Sequence, residues 1–168
     1  MTQAGMRVRS AARSDRRLID GILFQVLLAA NLTAQPFTVV VGRPHRLTLA
    51  SWRCMIALAA MPGACGEDVV GLTGLDKMSV SRGLRGLLKA SRAQRVEDPE
   101  GAHRWLWQLT PKGWALYDAI LPMAQRRERD AVSGLGAAAT KALKTGLQSV
   151  VTRLTDKPNL AAIRHRQR

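Results

Sequence analysis

The stretch from Asp76 to Arg95 most constrains how this chain can fold. Between Lys77 and Val96 it carries six basic residues and no acidic one. Its apolar residues recur at the three- and four-residue spacing of a helix with one buried side: Val80, Leu84, Leu87 and Leu88. Asp76 stands where an N-cap belongs, because its carboxylate can accept hydrogen bonds from the free amides of a first helical turn. The pattern predicts an amphipathic helix whose outer face is small, polar and cationic: Met78, Ser81, Arg82, Arg85 and Lys89.

A shorter helix is predicted directly before it. Glu67 and Asp68 open this helix, where the helix dipole favours acidic side chains. Val69, Val70 and Leu72 supply its apolar side, and Gly74 ends it. Two helices joined by a short glycine turn, the second with a cationic outer face, form a helix-turn-helix that suits a DNA major groove. The alternative is an ordinary helical hairpin whose charged face is merely solvated.

The overall charge indicates the class of partner. The chain has 168 residues, is 46% hydrophobic and carries a net charge of +14. This length and composition predict one domain, or one domain with tails, and the charge favours a polyanion: DNA, RNA or an anionic membrane surface. Asp20, Gln25 and Asn31 interrupt the first apolar stretch. We therefore expect neither a signal peptide nor a membrane-spanning helix, no membrane partner, and a cytoplasmic protein.

The reactive side chains form no pattern of an enzyme. The two cysteines and three histidines are separated without metal-ligand spacing: Cys54, Cys65, His45, His103 and His165. The chain has no phosphate loop, no dinucleotide fingerprint and no metalloprotease motif. The sequence predicts no catalytic site, no metal and no cofactor. A thiol switch at either cysteine stays open as an alternative to two inert thiols.

A β-hairpin is predicted after the cationic helix. Residues 95–97 form a short strand candidate, and Asp98-Pro99-Glu100-Gly101 suits a type I turn. Trp105, Trp107 and Leu109 then alternate with more polar positions, as in a half-buried strand. Such a hairpin, or wing, would carry His103 and Arg104 near its tip and could reach a minor groove or phosphates. The alternative is a plain surface hairpin.

Helices are predicted on both sides of this central part. The first covers about residues 15–32 and ends before Pro36, and Phe37–Val41 is then predicted as an extended connector. A helix capped by Thr48 follows, and Pro62-Gly63 ends it. One face of this helix is apolar and carries Leu49, Trp52, Ile56 and Ala59.

Two further helices follow the wing. Thr110 caps the first, Pro111 opens it and Pro122 should kink it. The last helix carries an apolar stripe: Leu143, Leu147, Val150, Val151 and Leu154. The terminal helices have more apolar surface than a small winged core can cover, which favours a twofold dimer. The alternative is a monomer whose helices fold back on the core.

The predicted fold is mainly α with a small β-wing. The chain divides into a flexible basic arm (1–16), an N-terminal dimerisation helix (17–36), a winged helix-turn-helix DNA-binding domain (47–110), C-terminal dimerisation helices (111–155) and a basic tail (156–168).

At this point the chain resembles the MarR family of bacterial transcriptional regulators, over about residues 18–154. The motifs that carry the resemblance lie in the family's order: Leu47-Thr48 with Trp52, Pro62-Gly63, Gly74-Leu75-Asp76-Lys77, Ser79-Val80-Ser81-Arg82, Asp98-Pro99 and Leu109-Thr110-Pro111-Lys112-Gly113. The chain departs from the family in two places. The family's wing Asp-x-Arg falls on Gly101-Ala102-His103, and its glycine-leucine step falls within Ala90-Ser91-Arg92-Ala93.

The resemblance implies a winged helix-turn-helix homodimer, nucleoid-associated, that represses nearby genes from a pseudo-palindromic double-stranded DNA operator. A small aromatic effector would release it, bound near Phe24, Trp52 or Trp114. The residues expected at the DNA are Lys77, Met78, Ser79, Ser81, Arg82, Arg85, His103 and Arg104. The alternative is a basic, nucleic-acid-associated structural protein without sequence preference. Gly83 and Gly86 weaken the cationic helix by about 1 kcal/mol each relative to alanine.

Overall fold

The computed structural model describes residues 18–98 and 105–155, in two compact units that divide between Leu49 and Ala50. Residues 1–17, 99–104 and 156–168 lie outside the described residues, and with them the predicted arm (1–16), the predicted tail (156–168) and most of the predicted turn (98–101). Each unit has its own pattern of burial and is described by itself.

The first unit is helical throughout most of its described length. A 3₁₀ turn (Leu18–Asp20) precedes helix α1 (Ile22–Ala34), and a π-helical segment (Thr38–Gly42) runs into one α-helical turn (Arg43–His45). None of the α1 side chains is buried in the chain. Large apolar side chains therefore remain exposed on it: Ile22, Leu23, Phe24, Val26, Leu27, Leu28 and Leu32.

The extended connector predicted over Phe37–Val41 is wrong, because this segment is helical. The amides of Val39 and Val40 both donate to the carbonyl oxygen of Pro36, at 3.1 and 2.9 Å. Proline is tolerated in a first helical turn, where its missing N–H needs no partner. The preference of the three valines for strands is weak and depends on context. In the helical conformation Val41 and Gly42 are buried.

The helical stretch Ile22–His45 also corrects the expectation that no apolar run could span a membrane. By length and composition this stretch is long and apolar enough to do so. An 18-residue window within it has a mean hydropathy of 1.4, and 6% of that window is buried. Gln25 and Asn31 interrupt the run without adding charge. Buried core helices and signal sequences meet the same test, so composition alone does not choose among these roles.

The second unit contains five helices and a three-stranded sheet within its described part. The elements are α2 (Leu49–Ala60), β1 (Ala64–Cys65), α3 (Gly66–Thr73), α4 (Lys77–Lys89), β2 (Ala93–Glu97), β3 (Trp105–Leu109), α5 (Pro111–Val132) and α6 (Ala137–Thr155). The sheet is antiparallel in the order β1-β3-β2, with Ala64 opposite Trp107 and Ala93 opposite Leu109. The sequence predicted the hairpin of β2 and β3 and missed β1. A two-residue strand shows no alternation, so it has no periodic signal.

The core of this unit is built from α2, the helix-turn-helix, α5 and the sheet. Its fully buried large side chains come from the helices of the unit: Met55, Leu58, Leu87, Ile120, Val69 and Cys54. The face predicted for α2 is partly wrong, because Ile56 remains exposed while Cys54 and Met55 are buried. The helix is apolar around most of its circumference, so its periodicity does not single out one face.

A compact junction joins the base of the wing to α5. Thr110 is the N-cap of α5, as predicted: its hydroxyl oxygen accepts from the Gly113 amide at 3.1 Å. The same hydroxyl donates to the Ser91 carbonyl at 2.8 Å, and the Thr110 amide donates to the Arg92 carbonyl at 3.1 Å. A Cβ atom on Gly113 would overlap the Arg92 carbonyl oxygen, so this junction requires glycine.

We expect Gly113→Ala to lower the free energy of unfolding by at least about 2 kcal/mol, because the backbone at Arg92 must move to admit the methyl group. Gly71→Ala is the matched control, since Gly71 lies in α3 with open space around its Cα. This control should gain about 0.5–1 kcal/mol from helix propensity. Urea unfolding followed by circular dichroism measures both, and equal effects in the two variants would contradict the junction.

Candidate nucleic-acid interface

The helix-turn-helix predicted from the sequence is present as α3 and α4. The Asp68 carboxylate accepts from the Cys65 amide at 2.8 Å, which satisfies an amide at the start of α3. Gly74 ends α3 with φ +64°, a left-handed conformation that glycine adopts without a steric penalty. Residues 74–76 then form the predicted turn, and α4 begins at Lys77.

The first turn of α4 is held by its cap. One oxygen of Asp76 accepts from the Ser79 amide at 2.8 Å and the other accepts from the Ser79 hydroxyl at 2.6 Å. These hydrogen bonds from Ser79 hold the pKa of Asp76 below its ordinary value, so the carboxylate is ionised at neutral pH. Ser79 was predicted as a DNA contact. Its hydroxyl donates its proton to the cap, which leaves only its acceptor lone pairs for another partner.

The outer face of α4 is an exposed stripe along the helix. We call Met78, Ser81, Arg82 and Arg85 the α4 stripe; all four side chains are exposed. Their spacing of three and four residues places them on one side of a helix. On the opposite side Val80, Leu84 and Leu87 are buried. Leu88, which was predicted to be buried with them, is exposed. The Arg85 Nε donates to the Ser81 carbonyl at 3.3 Å, which holds that guanidinium along the helix.

Lys77 lies beside the stripe and forms an ion pair. Its Nζ is 3.1 Å from Oε1 of Glu67, and both side chains are highly exposed. Exposed ion pairs contribute little to stability. A phosphate could therefore replace Glu67 as the partner of Lys77 at little energetic cost.

Two glycines let α4 lie very close to α2. A Cβ atom on Gly83 would stand 2.8 Å from the Cys54 sulfur, and one on Gly86 would stand 3.2 Å from the Ser51 hydroxyl oxygen. The Ser51 hydroxyl donates to the Gly83 carbonyl at 3.2 Å, which links the two helices directly. The two glycines lower the helix propensity of α4, but they allow it to cross α2 closely. This crossing fixes the position of α4, whereas the sequence pattern indicated only a penalty for the two glycines.

The wing is present as the ladder of β2 and β3, with Glu97 opposite Trp105. The Arg95 guanidinium lies 4.3 Å from the centre of the Trp105 ring, a cation–π contact on an exposed part of the hairpin. The sequence prediction did not pair these two residues, because their diagonal placement depends on the register of β2 against β3. His103 and Arg104, the predicted tip contacts, lie outside the described residues.

Comparison with known proteins identifies this arrangement. Neither the protein-family models nor the curated proteins give a match. Among solved structures, a probable transcriptional regulator from Pseudomonas aeruginosa is 27% identical with a TM-score of 0.68, covering 80% of this chain and 99% of that one. A MarR/EmrR family transcriptional regulator from Acinetobacter sp. ADP1 is 18% identical with a TM-score of 0.75, covering 84% and 99%.

The chain has the winged helix fold of the MarR regulators. The predicted resemblance and fold class are thus confirmed. A third solved structure, Bordetella bronchiseptica BpsR, is 23% identical with a TM-score of 0.68 and covers 78% of this chain and 98% of that one. DNA binding by BpsR is regulated by 6-hydroxynicotinic acid.

Within this MarR fold, two of the three predicted ligand residues meet through a third aromatic side chain. Trp52 and Tyr117 have ring centres 5.6 Å apart, and Trp114 stands edge-on to Tyr117 at 5.7 Å. Tyr117 was not among the predicted ligand residues, although it follows Trp114 by three residues. Trp52 is buried and Trp114 is partly exposed, whereas Phe24 belongs to the first unit on the exposed helix α1.

The thiols differ in their surroundings. Cys54 is fully buried under α4, with its sulfur 3.9 Å from the Val80 carbonyl oxygen, and Cys65 is partly exposed at the start of α3. Burial raises the pKa of the Cys54 thiol to about 11, so it stays protonated and unreactive at neutral pH. Over residues 18–98 and 105–155, the potential metal ligands form no group of three or more.

The Cys54 thiol should make stability depend on pH in the alkaline range. Because its folded-state pKa is raised to about 11, the unfolded chain ionises first, and the stabilisation is lost as the pH rises toward 11. Urea unfolding from pH 8 to about 10.5 should show a fall in unfolding free energy that is shallower in Cys54→Ala. Parallel pH profiles for the two proteins would contradict the buried thiol. Cys65→Ala, which alters the partly exposed thiol, is the matched control.

Proposed function

We propose that this protein is a sequence-specific, double-stranded DNA-binding transcriptional regulator. The observation that carries the proposal is the α4 stripe: an exposed row of one apolar, one hydroxyl and two guanidinium side chains on a helix that is capped and anchored. Arginines donate in pairs to guanine edges, and short hydroxyl side chains allow the helix to lie close to the bases. The fold shared with the MarR regulators supports the same assignment and argues against an enzyme.

Each part of the surface then has a separate role. Arg82 and Arg85 lie about one turn apart on the stripe and reach base edges or phosphates, while Lys77 exchanges its exposed partner Glu67 for a phosphate. Arg95, held on Trp105, adds a cation on the wing. His103 and Arg104 lie outside the described residues, and we propose from the sequence that they contact the minor groove.

The protein acts as a homodimer in this proposal. Helix α6 has no buried residue and exposes an apolar stripe that includes Leu143, Leu147 and Val151. Helix α1 likewise exposes its apolar side chains. A second copy is the occupant that satisfies both helices, because an isologous contact pairs each apolar patch with an identical one. A dimer presents two recognition helices to successive major grooves and so reads a pseudo-palindromic operator.

A small aromatic molecule modulates this binding, and repression is the regulatory outcome we propose. DNA binding by BpsR, which shares the fold, is under the control of a small aromatic acid. In the present chain, the cluster of Trp52, Trp114 and Tyr117 provides aromatic surface that could stack on such a ring. The protein then works in the cytoplasm, at the nucleoid.

A second candidate is a general polyanion binder, which the net charge of +14 favours. Binding of that kind depends on salt and not on sequence. The two candidates differ in whether a single stripe residue governs discrimination between DNA sequences, and the following experiment measures this.

Arg82→Ala should weaken binding to a specific duplex by at least about fivefold, because a bidentate guanine contact contributes about 1–3 kcal/mol. Fluorescence anisotropy would compare the DNA upstream of the protein's own gene with a scrambled duplex at several salt concentrations. Arg126→Ala is the matched control: it removes the same charge from an exposed position on α5, where Arg126 faces Asp130 at 3.9 Å. Equal losses in both variants, or equal affinity for both duplexes, would leave only the general polyanion binder.

Leu147→Glu should shift the monomer–dimer equilibrium toward monomer by at least about tenfold, because it would place a carboxylate within an apolar contact. Thr145→Glu introduces the same side chain on the opposite side of α6 and should leave the equilibrium unchanged. Sedimentation velocity over a concentration series measures both variants. A wild-type protein that remains monomeric at micromolar concentration would refute the dimer.

A further inference from the structure

One member of the α4 stripe has a chemistry that the other three do not share. Met78 is the second residue of α4, and its side chain is 70% exposed on a face that is otherwise polar and cationic. The charged and hydroxyl members can donate hydrogen bonds to DNA, and a thioether side chain can donate none. Its position is also distinctive, because the N-terminal residues of a recognition helix are those that contact base edges.

Two features hold Met78 in place. Asp76, two residues before it, is fixed by two hydrogen bonds from Ser79, so the first turn of α4 is ordered around Met78. The spacing of three, four and seven residues aligns Met78 with Ser81, Arg82 and Arg85. A duplex whose major groove holds Arg82 and Arg85 therefore also lies beside Met78.

The major groove offers one apolar group to such a side chain. Thymine carries a C5-methyl group there, and apolar side chains recognise it by contact. Methionine suits this contact because its unbranched chain is flexible and its thioether is polarisable. A cytosine in the same place offers an N4 amino donor, for which a thioether is only a weak acceptor.

We infer that Met78 is a specificity-determining residue that selects thymine at one position of each operator half-site, through contact with the C5-methyl group. This inference rests on the proposed function, since it requires α4 to lie in a major groove. It adds a readout by apolar contact beside the hydrogen-bonding readout by arginine. Selection of this kind distinguishes thymine from every base that lacks the methyl group.

The test removes the methyl group alone. A duplex would be selected from a random-sequence pool by the purified full-length protein, and each thymine would then be replaced in turn by deoxyuridine. Wild-type protein should lose about fourfold in affinity per half-site at one thymine position, the ratio expected for one buried methyl-sized group. Met78→Gln, similar in length but polar, should bind the thymine and deoxyuridine duplexes equally at that position. Met78→Leu should retain most of the discrimination.

Met61→Gln is the matched control, because Met61 is also an exposed methionine but lies after α2, outside the α4 stripe. It should show the wild-type pattern of deoxyuridine penalties. Circular dichroism of each variant checks that the helices are intact.

Two results would overturn the inference: no penalty at any thymine in the wild-type protein, or the same set of penalties in Met78→Gln as in wild type. Both leave the selected duplex tightly bound, so the proposed function would stand. A failure of the proposed function looks different, because the pool would then yield no enriched sequence and the inference would fall with it.

Discussion

The close crossing of α2 and α4 is the contact on which the rest of the second unit depends. It exists because Gly83 and Gly86 present only backbone to α2, where Ala50, Ser51 and Cys54 occupy the facing surface. The Ser51 hydroxyl then reaches the Gly83 carbonyl, a hydrogen bond between two helices that larger side chains would keep apart. Two glycines lower helix propensity by roughly 2 kcal/mol in total. This loss is offset because tertiary contacts hold α4 at its centre and a cap holds it at its start.

The end of α4 is fixed as firmly as its beginning. The Ser91 and Arg92 amides donate to the carbonyls of Leu88 and Leu87, and Ser91 takes φ +57° to allow it. Glycine is the usual residue in this conformation, and this chain carries a serine there. The carbonyls of Ser91 and Arg92 in turn accept from Thr110. Helix α4, the base of the wing and α5 therefore meet within a few residues.

What the sequence could predict was the part determined by neighbouring residues. The caps Asp76 and Thr110 act over three positions, and helical spacing alone was enough to predict the exposure of the α4 stripe. The errors lie where distant contacts decide: residues 38–42 are helical despite a run of three valines, and strand β1 exists only through its pairing with β3. Local pattern also could not show that the Ser79 hydroxyl is engaged by the cap, because that depends on side-chain geometry. Nor could it indicate the Arg95–Trp105 contact, which requires the register of β2 against β3.

The carboxylate that caps α4 also affects which side chains of this helix can attract a polyanion. A free helix N-terminus attracts an anion through its exposed amides and its dipole. Here Asp76 already supplies the anion, and its pKa is held low by the hydrogen bonds from Ser79, so the carboxylate stays charged at neutral pH. A phosphate brought to this end of α4 would meet a like charge. In the proposed complex the attraction of α4 for a polyanion therefore comes from Arg82 and Arg85 farther along the helix and from Lys77 at its start, and the neutral side chain of Met78 lies between them. The stable start of the helix and the arrangement of its outward-facing groups thus follow from the same carboxylate.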